Sequence, residues 1–294
     1  MLVSLREILA VAENNGTAVG AFDTPNLESL LAALEAAESL KLPVIVQFAQ
    51  CHEDMTPLSV VGPSMVQLAK RASVPVCVHL DHGETLEYLE CALRLGFTGI
   101  MYDGSALPYA ENAANTRAAV ALASEYGAGV EAELGSMGRR ETGAGETETD
   151  DPLKIYTDPA EAARFIRETG VDALACSFGT THGVYLSRPK LDFSIVERVR
   201  AKTGGAPVVM HGGSGISAQD YRRALRAGVR KVNYFTYMDR AGGLGAAEYL
   251  RRTPPGQPVF FTALAAAAQT AMREDIARAM RIFGGLDAAR EDGA

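Results

Sequence analysis

Two histidines and two carboxylates lie within six residues of one another in the stretch HLDHGE, which runs from His79 to Glu84. Two further histidines follow later apolar runs, His182 in GTTHG and His211 in MHGGSG. Imidazole nitrogens bind divalent metals, and both imidazoles and carboxylates transfer protons. These groups can share one site only if the fold brings the ends of several apolar runs together.

Short apolar runs alternate with longer helical patterns along the chain. The runs cover residues 18–22, 43–49, 74–80, 99–104, 129–135, 173–179, 207–213 and 230–236. They are continuous rather than alternating, as expected for parallel strands that are buried on both faces. Predicted helices separate them at 25–40, 60–72, 84–95, 109–127, 159–169, 192–202, 217–228 and 237–252. Eight such units favour an α/β fold, the closed (β/α)8 TIM barrel, with a doubly wound open sheet as the alternative.

The chain has 294 residues, 47% of them hydrophobic, which suffices for one large core. We predict a single domain, 1–294, with an additional C-terminal helix at 258–283 outside the barrel. Residues 136–157, SMGRRETGAGETETDDPLKIYT, are polar, glycine-rich and long for a loop after a strand. This pattern predicts a mobile active-site loop, with a solvated linker as the alternative.

Composition excludes several classes of protein. The net charge is −8 and no basic patch is present, which argues against nucleic-acid binding. No uncharged apolar run reaches the roughly 18 residues of a membrane span. The N-terminal MLVSLREILAVAENNG is predicted to be an amphipathic helix and not a signal peptide. The four cysteines are scattered without a CxxC pair, so we expect reduced thiols and a cytoplasmic location.

Chemistry in a (β/α)8 barrel takes place at the carboxyl ends of the strands, where three histidines are predicted to lie: His82, His182 and His211. Three neutral imidazoles with an open position are typical of a catalytic zinc site. On an ideal strand His79 points away from His82, so we expect it to support the ligands from behind. A hydrogen-bonded structural role for these histidines is the alternative. The same rim receives further polar side chains: Asp103, Glu131, Glu133 and Asn233.

The glycines of HGGSG (211–215) expose backbone N–H groups, and the next helix is predicted to begin near Ser217. A backbone nest with a helix N-terminus behind it binds anions. Next to a histidine cluster this favours a phosphorylated substrate, whereas a simple tight turn is the alternative.

Several motifs, in this order, resemble class II, zinc-dependent ketose-bisphosphate aldolases over nearly the whole chain. They are HLDHGETLEYLECALRLGFTGIMYDGSALPYAEN, VEAELGSMG, GTTHGVY, VVMHGGSGI and RKVN. The length and the VEAELG motif are more similar to the tagatose-bisphosphate branch. The resemblance implies a lyase that reversibly cleaves a phosphorylated ketose into dihydroxyacetone phosphate, or a related ketone, and an aldehyde. It also implies a small-molecule substrate and a homodimer or homotetramer.

The resemblance also assigns roles to residues. It implies zinc ligands at His82, His182 and His211. It matches Asp81 to the residue that handles the proton of the hydroxyl at the cleaved bond, and Glu133 to a glutamate near the metal. It matches Glu141 to a catalytic glutamate that moves the enediolate proton. Positions that hold the phosphate and hydroxyls of the ketone half correspond to Gly183, Gly212, Gly213, Ser214, Asn233 and Thr236. A monovalent cation, Na⁺ or K⁺, is common near their backbone carbonyls.

This set suits aldol chemistry because cleavage beside a carbonyl leaves a carbanion, which a divalent metal stabilises. Lys231 is the nearest lysine to a Schiff-base position, but it lies within the eighth strand. Two other functions remain open from the sequence. One is a metal-dependent sugar or sugar-phosphate epimerase or isomerase, and the other is a binding protein without turnover.

The chain departs from the family pattern at positions that would contact the substrate. They are Asp23, Ala49, Arg139, Arg140, Phe235 and Tyr237. Phe235 places an aromatic ring two residues after Asn233, where relatives carry a small residue or an aspartate. The sequence therefore predicts weak activity on fructose and tagatose 1,6-bisphosphates and better activity on a ketose that is less polar or less phosphorylated at its far end.

Overall fold

A computed structural model of the chain describes residues 1–135, 139–140, 156–185 and 188–287. The barrel strands are β1 (Val19–Asp23), β2 (Val44–Ala49), β3 (Val76–Gly83), β4 (Gly99–Tyr102), β5 (Gly129–Leu134), β7 (Ala173–Cys176), β9 (Val208–Met210) and β10 (Val229–Asn233). Two short strands pair outside the barrel, β6 (Arg139–Arg140) and β8 (His182–Gly183).

The helices of the described residues surround this barrel or close its ends. They are α1 (Leu5–Asn15), α2 (Leu27–Leu40), α3 (Leu58–Arg71), α4 (Leu86–Leu95), α5 (Tyr109–Glu125), α6 (Pro159–Thr169), α7 (Phe193–Thr203), α8 (Ala218–Ala227), α9 (Thr236–Arg252) and α10 (Phe261–Phe283). Within the described residues, no helix has the length and apolar character needed to cross a membrane.

The eight barrel strands are parallel and close in the order β1-β10-β9-β7-β5-β4-β3-β2. The first strand pairs with the last, with Val19 in register with Lys231. This closure confirms the predicted (β/α)8 barrel and excludes the open sheet. The element predicted at 258–283 is observed as α10, which begins three residues later and packs on α9 and α2.

Local sequence fixes where the helices begin and end. Ser4 and Glu7 form a reciprocal capping box at the start of α1. The side chains of Asn26 and Thr85 cap α2 and α4 by accepting backbone N–H bonds. Several helices end at a glycine in the left-handed region, as the LRLG, RETG and LRAG patterns predict.

The interior of the barrel is apolar at the end covered by α1 and contains buried polar and charged side chains further towards the carboxyl ends of the strands. Helix α1 covers the amino-terminal mouth, where Leu5, Ile8 and Leu9 pack with inward-facing strand residues such as Val19 and Ile45. A second apolar core lies between the outer face of the strands and the surrounding helices. Polar side chains occupy the barrel above the α1 end and are fully buried: Gln47, His79, Glu131, His211 and Lys231. Among the described residues, the site therefore opens at the carboxyl ends of the strands, as expected for this fold.

Candidate active site

The end of β3 has an irregular backbone that brings two neighbouring side chains to one side. On a regular strand Asp81 and His82 point to opposite faces. The pairing of β3 with β4 shifts register between Leu80 and Gly83, and His82 has a φ of 48°. This left-handed conformation is uncommon for a residue with a side chain and is typical of functional sites. As a result, His82 Nε2 lies 3.7 Å from Asp81 Oδ2.

The three predicted ligand histidines converge at this point. The ring centroids of His82 and His211 are 4.8 Å apart, and those of His82 and His182 are 5.2 Å apart. One nitrogen from each ring lies within 4.8 Å of one nitrogen from each of the others. The structure thus brings three imidazoles together, although the first and the last, His82 and His211, are 129 residues apart in the sequence.

Carboxylates behind two of these rings select the nitrogen that faces the site. His82 Nδ1 lies 2.7 Å from Asp103 Oδ2, and His211 Nε2 lies 2.8 Å from Glu131 Oε1. Asp103 is itself held by the backbone N–H and hydroxyl of Ser105. Such carboxylate–histidine pairs fix the tautomer of a ligand and leave the other nitrogen free to bind a metal. The free nitrogens are therefore Nε2 of His82 and Nδ1 of His211.

These donor atoms fit a divalent metal ion. His182 Nε2, His211 Nδ1 and Glu133 Oε2 are buried without a hydrogen-bond partner. Glu133 Oε2 lies 3.1 Å from His211 Nδ1, so both atoms face the same point. Buried polar atoms without partners are rare and costly, and a cation would satisfy all of them together. Three imidazoles with a nearby carboxylate are a donor set that zinc prefers.

The protonation of the histidines in the absence of metal is uneven. Burial opposes the charge of His82 and His211, but Asp81 and Asp103 raise the pKa of His82 to about 9, and Glu131 and Glu133 raise the pKa of His211 to about 10. Burial lowers the pKa of His182 to about 3. Metal binding would displace protons from these rings, because only a neutral imidazole is a ligand.

The carboxylate of Asp81 is fixed by hydrogen bonds from two amide side chains. Asn233 Nδ2 donates to both of its oxygens at 3.1 Å, and Gln47 Nε2 donates to Oδ2 at 3.1 Å. Burial opposes ionisation, yet the nearby His82 and Lys231 hold the pKa of Asp81 below its usual range. Asp81 is therefore ionised at neutral pH and can accept a proton from a group in the pocket.

The turn after β9 and the start of α9 form the other side of the pocket. A Cβ atom at Gly212 or Gly213 would meet backbone oxygens at 2.4 Å and 2.7 Å, so this close approach requires glycine. The carbonyl of Gly212 accepts a bond from the Tyr185 hydroxyl, and that of Gly213 from Tyr221. Ser214 Oγ accepts from the N–H of Phe235, just before α9, which has no side-chain cap of its own.

The remaining wall is aromatic and apolar. Phe235 lines the pocket, with its ring centroid 5.0 Å from that of His52, and Ala49 lies on the same wall. The predicted substrate positions Gly183, Gly212, Gly213, Ser214, Asn233 and Thr236 all line this pocket. Glu141 lies outside the described residues, as do the side chains of Arg139 and Arg140. Their predicted roles stay predictions.

The sequence profile of the family described as "Fructose-bisphosphate aldolase class-II" matches residues 3–287. The chain belongs to this family. It is a class II aldolase, a carbon–carbon lyase that acts on a small-molecule sugar phosphate. This membership confirms the predicted resemblance.

Relatives of this aldolase cover from 80% to 99% of its length. A "Probable fructose-bisphosphate aldolase" of Bacillus subtilis (strain 168) is 36% identical over 291 residues, covering 96% of this chain and 98% of the relative. A "Fructose-bisphosphate aldolase" of Staphylococcus aureus (strain Mu50 / ATCC 700699) is 39% identical over 243 residues, covering 80% and 81%. The crystal structure of the YdjI aldolase from Escherichia coli K12 has a TM-score of 0.84 at 34% identity, covering 99% of this chain and 100% of that one.

An ion pair beneath the ligands supports the site of this aldolase. Lys231 Nζ lies 2.7 Å from Glu131 Oε2 and 3.9 Å from Asp81 Oδ1, and all three side chains are buried. Lys231 is thus held by carboxylates below the pocket. The charge that it supplies keeps Glu131 in place as the partner of His211.

We expect Lys231→Met to destabilise the aldolase strongly. The substitution leaves Glu131 buried without its cation, and breaking a buried ion pair in this way costs about 3–5 kcal/mol. Urea denaturation would measure the free energy of unfolding. Lys70→Met is a matched control, because Lys70 is exposed on α3, and it should change stability by less than about 0.5 kcal/mol. Equal stability of the two variants would show that the buried pair contributes nothing.

Sequence reasoning noted Asp103 and Glu131 at the rim but gave them no role. The structure places each against the outer nitrogen of a predicted ligand histidine. Asp103 directly follows β4, whereas Glu131 lies within β5 and is buried inside the barrel, and these two strands are neighbours. The available signal was that metal-ligating histidines usually donate to a carboxylate. His52, just beyond β2, also lines the pocket and contacts Phe235.

Proposed function

We propose that this aldolase is zinc-dependent and cleaves a ketose phosphate whose far end carries no second phosphate. His82, His182 and His211 hold the zinc ion, with Glu133 beside them. The observation that carries this proposal is the set of buried, unpartnered donor atoms that converge at the mouth of the barrel. When bound, the metal withdraws electron density from the carbonyl and adjacent hydroxyl oxygens of the substrate.

Asp81 accepts the proton of the hydroxyl at the cleaved bond. Three features support this role: its pKa lies below the usual range, its oxygens are fixed by Asn233 and Gln47, and it lies beside His82. A carboxylate that is already oriented loses little entropy on reaction. The surrounding burial excludes water, which protects the carbanion left by cleavage from stray protons.

The ketone half, with its phosphate, lies against the Gly212–Ser214 turn and the start of α9. The fixed carbonyls of Gly212 and Gly213 and the N-terminus of α9, whose N-cap residue Phe235 has no side-chain capping bond, support this placement. Backbone N–H groups at a helix N-terminus favour an anion. Gly183 and Asn233 complete the contacts to this half. The far half then lies against Ala49, His52 and Phe235, which support a group without phosphate.

Further parts of the proposal rest on the sequence. Glu141, in the loop 136–157, moves the proton on the carbon beside the carbonyl, and a monovalent cation, Na⁺ or K⁺, lies near the phosphate turn. The chain acts as a single domain, 1–294, within a homodimer or homotetramer. A cytoplasmic location is supported by four free cysteines and a phosphorylated substrate.

A panel of ketose 1-phosphates and 1,6-bisphosphates, assayed for released dihydroxyacetone phosphate, tests the proposal. We expect the 1-phosphates to be cleaved with higher kcat/KM than fructose or tagatose 1,6-bisphosphate. Isomerised ketose without three-carbon fragments would contradict cleavage and favour the epimerase or isomerase. Cleavage that survives complete removal of divalent metal would contradict the zinc site.

We expect Phe235→Ala to raise kcat/KM on the 1,6-bisphosphates relative to the 1-phosphates. A polar group left unsatisfied against the ring costs about 1–3 kcal/mol, or roughly ten- to a hundredfold in selectivity. Steady-state kinetics on matched mono- and bisphosphates measures the ratio. Phe260→Ala is the control, because Phe260 is exposed away from the pocket. A native kcat/KM of about 10⁴ M⁻¹s⁻¹ or more on a bisphosphate, unchanged in Phe235→Ala, would show that the ring does not affect specificity.

A further inference from the structure

The hydroxyl of Tyr185 joins two loops that each carry one histidine of the cluster. It accepts a hydrogen bond from the backbone N–H of Thr181 at 2.9 Å and donates one to the carbonyl of Gly212 at 2.8 Å. Thr181 directly precedes His182, and Gly212 directly follows His211. One side-chain oxygen therefore connects the backbones beside two histidines that follow different strands of the barrel.

The two loops are also in contact at this place. Gly212 has a φ of 60°, and a Cβ atom there would lie 2.4 Å from the carbonyl oxygen of Thr181 and 3.0 Å from its nitrogen. Only glycine allows two backbones to approach so closely. A hydroxyl that bonds both backbones beside this contact can therefore hold the spacing of the loops.

The position of His182 depends on its loop more than the positions of the other two histidines do. Asp103 lies against the ring of His82, and Glu131 lies against the ring of His211. Among the described residues, no carboxylate is hydrogen-bonded to the ring of His182. A partner of this kind usually orients a ligand histidine. For His182, the support must therefore come from the backbone next to it.

We infer that Tyr185 is a positioning residue, whose hydroxyl holds the loop of His182 against the turn after His211 and so keeps both imidazoles at the spacing that a metal ion requires. The inference rests on the proposed function, in which these histidines bind zinc. Among the described residues, those that line the pocket do not include Tyr185. Tyr185 therefore acts through the two loops and not on the substrate.

The substitution Tyr185→Phe tests this role. It keeps the ring that packs against the core and removes only the hydroxyl. We expect the affinity for zinc to fall about ten- to a hundredfold, as it does when other groups that orient metal ligands are lost. Competition for zinc between the purified protein and EDTA measures the affinity.

Tyr109→Phe is the matched control. Tyr109 is half-buried like Tyr185, and its hydroxyl donates to Glu168 at 3.0 Å, away from the residues that line the pocket. We expect this variant to keep the native affinity for zinc. The comparison separates the loss of this particular hydroxyl from the general effect of replacing tyrosine by phenylalanine.

Cobalt(II) bound in place of zinc gives a second measurement that does not depend on activity. Its visible absorption spectrum reports the number and geometry of the ligands. We expect the spectrum of Tyr185→Phe to differ from that of the native protein, and the spectrum of Tyr109→Phe to match it.

The possible results bear on different claims. A native protein that binds no zinc would overturn the proposed metal site and this inference with it. Native zinc affinity together with a native cobalt spectrum in Tyr185→Phe overturns the inference alone, as does an equal loss of affinity in Tyr109→Phe. Circular dichroism shows whether Tyr185→Phe is folded. An unfolded variant also overturns the inference, because the hydroxyl would then support the whole fold and not the two ligands.

Discussion

We expect His211→Ala to lose divalent metal and, with it, nearly all aldol cleavage. His211 Nδ1 is one of three imidazole nitrogens that converge at the barrel mouth, and it is buried without a hydrogen-bond partner. Charge stabilisation by a metal contributes several kcal/mol to a transition state, so we expect activity to fall by about 10³-fold or more. His182→Ala should behave in the same way.

Mass spectrometry after dialysis measures the metal content of the variants, and cleavage assays measure their activity. His52→Ala is the matched control for metal content, because His52 lines the same pocket but lies outside the cluster. It should keep one metal ion per chain. Full metal content in both His211→Ala and His182→Ala would contradict the assignment of the ligands.

We expect Asp81→Ala to keep its metal but to lose carbon–carbon bond cleavage. Asp81 carries no ligand role in the proposed site, and its oxygens are held by Asn233 and Gln47 for proton transfer. Loss of a positioned acid–base group lowers the rate by roughly 10²–10⁴-fold. Asp81→Asn should show a similar loss, because an amide cannot accept the proton.

Single-turnover cleavage assays and metal analysis of the same preparations distinguish a loss of proton transfer from a loss of metal. Asp54→Ala serves as control, since Asp54 is exposed in the turn after β2 and should keep native activity. If Asp81→Ala instead cleaves substrate at the native rate, another group accepts the hydroxyl proton. If it loses its metal as well, Asp81 acts through the ligands and not on the substrate.

The sequence was sufficient to predict the barrel and the convergence of three histidines at one rim. Continuous β-branched runs separated by capped helices led to the eight strands, and the barrel rule placed His82, His182 and His211 at one rim. The family resemblance added Asp81 and the phosphate turn at Gly212. These features depend on local patterns and chain order, which a sequence contains directly.

Other features depend on backbone irregularity and on contacts between distant segments. Period-two alternation puts Asp81 and His82 on opposite faces, and only the left-handed turn at His82 brings them together. The pairing of His82 with Asp103 and the contact of Phe235 with His52 join different strands and loops. Hydrophobic periodicity contains no information about which rim side chains will meet.

The pairing of β1 with β10, which closes the barrel, also sets an order for folding. Strand β10 closes the ring against β1, so the two paired strands come from opposite ends of the chain. Lys231, on β10, is the buried cation beside Glu131 and Asp81. A growing chain therefore contains these carboxylates before their counter-charge, and they must stay hydrated because unpaired charges resist burial. The barrel then closes and water leaves its interior in one late step. This step pairs strands that are far apart in the sequence, so it is intrinsically slow. A ribosome-bound chain that ends before β10 cannot dehydrate its future active site.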